Sequence, residues 1–136
     1  VFADYIKNIV IEKKHPLPIL GNGYQVRCFT WIDEVAAAIA DHSFSEKTDN
    51  EIYNLGNQEP ISMRVLAEKI KDISVKEFKL FEDYFLLYDT IGDYENDVRV
   101  RIPNVDKAKE QLGWEAKMKV DDSLRLCIKD ALNGNH

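Results

Sequence analysis

The pattern of apolar positions begins at helical spacing and then changes to short extended runs. Apolar residues recur every three or four positions from Phe2 to Val10, which predicts an amphipathic helix over residues 2–13. Pro16 forbids its continuation. The next apolar run, Leu17–Leu20, contains a proline that favours an edge strand. The chain is therefore expected to open with a helix followed by a strand.

Turn and cap residues divide the rest of the chain into further short elements. The Gly-Asn-Gly sequence at 21–23 predicts a turn, Ser62 and Asn104 are suited to cap helices, and Gly113 is suited to end one. The aromatic stretch over 73–97 has no clear period and is interpreted as a strand, a turn and a short buried element. Together these patterns predict one mixed α/β domain of short strands and helices over residues 1–136. The predicted strands are Val26–Ile32, Glu51–Gly56 and Val98–Ile102, and the predicted helices are Asp33–Asp41, one starting after Ser62, Val105–Leu112 and one after Asp122.

Composition and charge narrow the function classes. The chain has 136 residues, of which 45% are hydrophobic and 31% charged, which is ordinary for a folded domain. Its formal charge of −6 argues against general binding to nucleic acid or to an anionic membrane, because both depend on basic surface. A small anionic ligand held by one or two well-placed arginines remains compatible with this charge.

The cysteines and the N-terminus bear on where the protein works. Cys28 and Cys127 have no metal-ligand spacing and are expected to be reduced thiols in a cytoplasmic protein. The sequence contains no apolar run long enough to span a membrane and no basic-then-apolar export signal. Because it starts at Val1 in the middle of a helical pattern, we expect a piece of a longer protein.

Polar residues on two predicted strands form a candidate anion site. Gln25 and Arg27 are two residues apart on an extended segment, so they share a face. Arg99 and Arg101 share a face of the later strand in the same way. Two arginines converging from separate strands would suit a diphosphate. The competing interpretation is an ordinary solvated strand face.

A catalytic apparatus is not evident in the sequence. The three histidines lack a partnered motif, and neither a zinc-protease helix nor a nucleophile elbow can be written from these residues. The pair Asp33 and Glu34 is explained by the preference of helix N-termini for acids. We therefore predict binding residues without catalytic residues, and no metal site.

Three sequence blocks resemble one enzyme family. The stretch Gly21–Glu34 resembles the Gly-x-Gly-x-Gln-x-Arg-x-Phe-x-Tyr-Val-x-Asp motif of NAD-dependent nucleotide-sugar epimerases and dehydratases, the extended short-chain dehydrogenase/reductase proteins. Glu51–Asn57 is similar to their Tyr-Asn-Leu-Gly strand. Arg101–Trp114 is similar to their Arg-x-Pro-Asp-x-x-Lys-Ala-x-x-x-Leu-Gly-Trp signature. The three blocks occur in the same order as in the family, and their residues most resemble those of the UDP-glucuronate decarboxylase branch.

The resemblance implies a substrate-binding role for named residues. By motif, Gln25 and Arg27 would contact the ribose and phosphates of a nucleotide-sugar, expected to be UDP-linked, and Arg101 would contact the diphosphate. Leu20 would stand beside the base, where many relatives have a tyrosine. Asn104 replaces the usual aspartate, and either residue caps a helix well.

The family's cofactor-binding residues are not in this sequence. In such enzymes an N-terminal Rossmann portion binds NAD and carries a Tyr-x-x-x-Lys pair, and neither that pair nor the glycine fingerprint occurs here. The resemblance therefore implies a C-terminal substrate-binding portion that is not catalytic alone, with NAD bound elsewhere in the parent protein.

Three interpretations stay open at the level of sequence. The leading one is a fragment of a nucleotide-sugar epimerase, dehydratase or decarboxylase. The second is a non-catalytic nucleotide- or protein-binding module derived from that family, and the third is a structural interaction domain. The resemblance also implies that the apolar face of the helix over Asp33–Asp41 would be uncovered in the isolated chain. We therefore expect self-association, as a dimer or a swapped assembly.

Overall fold

The structure, a computed structural model, describes residues 1–81, 84–92 and 97–134, and it confirms a mixed α/β fold. The helices are α1 (Phe2–Ile6), α2 (Ile32–His42), α3 (Met63–Lys76), α4 (Asp106–Leu112) and α5 (Val120–Leu132). The strands are β1 (Leu17–Leu20), β2 (Val26–Cys28), β3 (Pro60–Ser62) and β4 (Tyr88–Ile91). A π-helical segment, Lys7–Ile11, continues α1, and a 3-10 turn, Glu46–Thr48, follows α2.

The strands pair in two small sheets. β1 and β4 run parallel, from Leu17 beside Tyr88 to Leu20 beside Ile91. β2 and β3 run antiparallel, with Val26 opposite Ser62. Leu17–Leu20 is thus an edge strand of a two-stranded sheet, which confirms the prediction made from its proline.

One hydrophobic core joins α1, α3, α5 and β1. Periodicity explains the contribution of each helix, because residues three or four apart share a face. Leu66 and Ile70 of α3 and Leu124 and Ile128 of α5 are all fully buried in this core. The first sheet joins the same core through Leu17 and Ile19, which are also fully buried.

The predicted cap of α3 and the predicted glycine end of α4 are present. The Ser62 hydroxyl accepts a hydrogen bond from the Val65 backbone amide at 3.3 Å. Gly113 ends α4 in the left-handed conformation at φ 67°. The predicted Asn104 cap is displaced: α4 starts one residue later than predicted, its N-cap position is Val105, and Asn104, just before it, accepts from the Asp106 amide at 2.9 Å.

Several predicted strands are shorter or missing. The prediction of a strand over 51–56 is wrong, because side chains rather than a ladder fix this segment: Tyr53 donates to Gln111 Oε1 at 2.8 Å and Asn54 to the Asn104 carbonyl at 3.1 Å. The strand predicted over 26–32 stops at Cys28, where its pairing with β3 ends.

The third predicted strand and the aromatic stretch also differ from expectation. The segment 98–102 is extended only around an isolated bridge at Val100 and bends at Arg99. In the stretch 73–97, α3 continues to Lys76 because its helical burial pattern extends to Ile73 and Ser74, and β4 follows. Residues 82, 83 and 93–96 of that stretch lie outside the described residues.

The apolar face of α2 is directed to solvent. Ile32 and Ile39 are 68% and 56% exposed, while Ala38 on the other side is buried. Within residues 1–81, 84–92 and 97–134, none of the helices has the length and apolarity needed to cross a membrane.

Candidate functional site

A backbone bridge brings the two predicted phosphate-binding arginines next to each other. The Val26 amide donates to the Arg99 carbonyl at 2.7 Å, and the Arg101 amide donates to the Val26 carbonyl at 3.1 Å. This is parallel pairing of Val26 with Val100. Arg27 and Arg101 each directly follow a bridged residue, so their backbones lie on adjacent segments of the chain.

The side chain of Arg27 already has two partners. Its Nη2 donates to Asp97 Oδ1 at 2.7 Å, in an ion pair whose two side chains are each 22% exposed. Its Nη1 donates to the Val26 carbonyl at 2.8 Å. The sequence analysis missed Asp97, because nothing local links residues that are 70 positions apart.

The other two predicted site residues, Gln25 and Leu20, lie together at a small cavity. Gln25 Nε2 donates to the Leu20 carbonyl at 3.0 Å. Both residues line a cavity of about 200 Å³ between α1, β1 and β4, together with Tyr5, Asn8 and Ile91. Among the described residues, neither arginine lines this cavity. The arginine pair and the cavity are joined through the short extended segment from Gln25 to Arg27, about 7 Å long.

Tyr5 is a polar group at this cavity, and the sequence analysis did not propose it as a site residue. Burial raises its pKa to about 12, and the neighbouring Tyr88 adds to the rise while Arg64 opposes it. The hydroxyl is therefore protonated at neutral pH and can donate a hydrogen bond. The presence of tyrosine rather than phenylalanine on the buried face of α1 was the available signal.

Neither cysteine, both of which lie in the described part of the chain, is set up as a nucleophile. Burial raises the pKa of the Cys28 thiol, and the charge of Glu59 raises it further. Burial likewise raises the pKa of Cys127. Both thiols are free, and their raised pKa values keep them protonated at neutral pH.

Comparisons with known proteins cover nearly the whole chain. A family model described as GDP-mannose 4,6 dehydratase matches residues 1–127. UDP-glucuronic acid decarboxylase 1 of Arabidopsis thaliana is 28% identical over 134 residues, which are 94% of this chain and 28% of that protein.

Solved structures share the fold. The UDP-glucose 4-epimerase of Thermotoga maritima, solved with UDP-glucose, superposes with a TM-score of 0.77 at 26% identity over 99% of this chain and 40% of that one. The dTDP-glucose 4,6-dehydratase of Bacillus anthracis, solved in complex with NAD, gives a TM-score of 0.77 at 21% identity over 97% of this chain and 39% of that one.

The chain thus spans less than half the length of each of these three proteins. The family match itself covers more than nine-tenths of the chain. The chain belongs to the GDP-mannose 4,6 dehydratase family, within the NAD-dependent nucleotide-sugar epimerases and dehydratases that its three sequence blocks resemble.

Proposed function

We propose that this chain is the C-terminal, substrate-binding part of an NAD-dependent nucleotide-sugar epimerase, dehydratase or decarboxylase, and that it grips the nucleotide diphosphate. The observation that supports the proposal is the Val26–Val100 bridge, because Arg27 and Arg101 directly follow the bridged residues on two adjacent segments. Guanidinium groups carried by adjacent segments can each donate hydrogen bonds to the oxygens of a diphosphate. Binding energy from the diphosphate would then position the sugar for chemistry carried out by other residues.

The cavity at Gln25, two residues before Arg27 along the chain, supports a role in holding the nucleoside. Gln25 and Leu20 line a space of about 200 Å³ whose walls are mostly apolar, with the polar groups of Asp4, Tyr5 and Asn8 among them. Apolar walls with a few polar groups are typical of small-molecule sites. We propose a UDP-linked substrate because the Arabidopsis relative and the Thermotoga structure are named for UDP-sugars.

In the described part of the chain, the glycine turn at 21–23 does not have the geometry of an NAD pyrophosphate site. Gly21 and Gly23 form the turn between β1 and β2, so the glycines lead into a strand rather than to a helix N-terminus that could hold a pyrophosphate. A Cβ on Gly23 would also collide with Ile19 and Arg64, which shows that this glycine serves close packing. We propose that NAD is bound by other parts of the parent protein.

The proposal is tested by calorimetric titration of the chain and its variants with UDP. Each of Arg27→Ala and Arg101→Ala should weaken UDP binding about tenfold or more, because each removes charge-assisted hydrogen bonds. Arg125→Ala is a matched control, since that arginine lies on α5 and pairs with Glu77 at 2.9 Å. Equal affinities for the wild type and both site variants would contradict the proposal and favour a structural interaction domain.

Two further expectations from the sequence stay predictions. The exposed Ile32 and Ile39 on α2 support self-association of the isolated chain, which sedimentation equilibrium would test. A monomer at high concentration would contradict it. The two free cysteines support the proposed cytoplasmic location.

A further inference from the structure

The ion pair between Asp97 and Arg27 joins two parts of the chain at the candidate site. Asp97 lies just before the segment that carries Arg101, while Arg27 lies on β2. The contact is 2.7 Å long, and each side chain is 22% exposed, so the pair is partly shielded from water. An ion pair in this setting holds its geometry better than one on an open surface.

The guanidinium of Arg27 is held from two directions. Asp97 accepts from Nη2, and the Val26 carbonyl accepts from Nη1 at 2.8 Å. Two acceptors on different nitrogens fix both the position and the rotation of the planar group. Of the five N–H bonds of an arginine, three are left without a partner among the described residues. These three are available to an incoming anion.

We propose that Asp97 is a positioning residue, which orients Arg27 so that its remaining N–H groups are ready for a phosphate. This inference rests on the proposed function, because it concerns the same site. An arginine side chain without partners samples many rotamers, and ordering it on binding would lower the affinity. Asp97 removes that cost before the ligand arrives.

The negative charge of Asp97 acts in the opposite direction, because it repels a phosphate. The orientation of Arg27 and the repulsion of the phosphate respond differently to substitution of Asp97. An asparagine keeps an oxygen that can accept from Nη2 but has no charge, whereas an alanine removes both the acceptor and the charge. Orientation therefore predicts a loss of affinity in Asp97→Ala and not in Asp97→Asn, whereas simple competition for Arg27 predicts a gain in both.

The test is a UDP titration of five proteins: the wild type, Asp97→Ala, Asp97→Asn, Arg27→Ala and the double variant with both alanines. Asp97→Ala should bind UDP about tenfold more weakly, which corresponds to loss of one ordered charged contact. Asp97→Asn should stay within about threefold of the wild type or bind more tightly. In the Arg27→Ala background, removal of Asp97 should change the affinity by less than about twofold, because the effect passes through Arg27. Asp41→Ala, at an exposed position of α2, controls for the change in net charge.

Three results would overturn the inference. The first is unchanged or tighter UDP binding by Asp97→Ala, and the second is an affinity loss in Asp97→Asn as large as that in Asp97→Ala. The third is that Asp97→Ala lowers the UDP affinity by the same factor in the Arg27→Ala background as in the wild type. If the Ala variant does not fold, Asp97→Leu takes its place, because leucine also removes both the acceptor and the charge while filling a similar volume. If the wild type does not bind UDP at all, the proposed function fails. The orientation is then decided by nitrogen relaxation of the Arg27 Nε–H group in the free protein, which reports fast side-chain motion. Greater mobility in Asp97→Ala than in the wild type supports the inference, and equal mobility refutes it.

Discussion

Gly23, two residues before the candidate site residue Gln25, is a position where an added methyl group should lower the stability of the fold. Its φ is +74°, in the turn between β1 and β2. An L side chain in this conformation costs about 1–2 kcal/mol. An added Cβ would also overlap the buried side chain of Ile19 and lie 2.9 Å from Arg64 Cγ. Overpacking of a filled core costs typically about 1–3 kcal/mol, so Gly23→Ala should lower the free energy of unfolding by about 2–5 kcal/mol.

Gly113→Ala separates the two contributions. Gly113 has a similar φ of +67°, but an added Cβ would meet nothing within 4 Å. This variant should therefore lose only the conformational part, about 1–2 kcal/mol. Urea unfolding of the wild type and both variants, followed by circular dichroism, gives the free energies of unfolding. Equal losses in the two variants would refute the argument that close packing against Ile19 and Arg64 requires a glycine at position 23.

Three further predictions concern the cap, the core and the buried tyrosine. Ser62→Ala removes the cap of α3 and should lower the free energy of unfolding by about 1 kcal/mol. An unchanged free energy of unfolding in urea denaturation would contradict that role. Leu124→Ala empties a fully buried position and should cost about 2–5 kcal/mol in the same assay, so a loss below about 1 kcal/mol would show that Leu124 is not packed as described. Because the pKa of Tyr5 is raised in the folded state from 10.0 to about 12, its contribution to stability is present below pH 10 and is lost as the pH rises through about 12. Tyr5→Phe should remove that part of the alkaline decline in the free energy of unfolding, and an identical decline in the variant would contradict the shift.

The elements that local patterns determine were predictable. The helical spacing of Leu66 and Ile70 and the Ser62 cap together determine α3, and the αL glycine at 113 ends α4 as expected. These features depend on residues a few positions apart, which a sequence shows directly. The first strand was also predictable, because a proline-containing apolar run is restricted to a sheet edge.

The strand predictions that were wrong or too long failed because strand formation depends on contacts with distant parts of the chain. The alternation in 51–56 suggested a half-buried strand, yet Ile52 is 83% exposed, and side-chain hydrogen bonds of Tyr53 and Asn54 hold the segment. The segment around Val100 has strand-like alternation but only one bridging residue. Alternation of apolar and polar residues indicates which face of a strand could be buried, but it does not show that a partner strand is present to pair with it.

The candidate site was predictable in its residue types but not in its full set of contacts. The spacing of Gln25 and Arg27 and the family resemblance at Arg101 proposed the residues, and their roles stay predictions, whereas their neighbours are set by pairing between distant segments. The partner of Arg27, Asp97, is 70 residues away, and no local pattern indicates it. Contacts of this kind depend on how distant segments of the chain fold against each other, and a local sequence pattern does not determine that.

The most direct test of the account is a two-dimensional amide NMR titration of the chain with UDP, using GDP and dTDP as comparison ligands. This measurement detects weak binding and assigns it to residues. The account predicts saturable shifts that centre on Gln25, Arg27 and Arg101, with the cavity residue Leu20 also affected, and the largest response for UDP. Shifts elsewhere in the chain, or none in a sample whose spectrum is that of a folded protein, would contradict a nucleotide diphosphate site at this place.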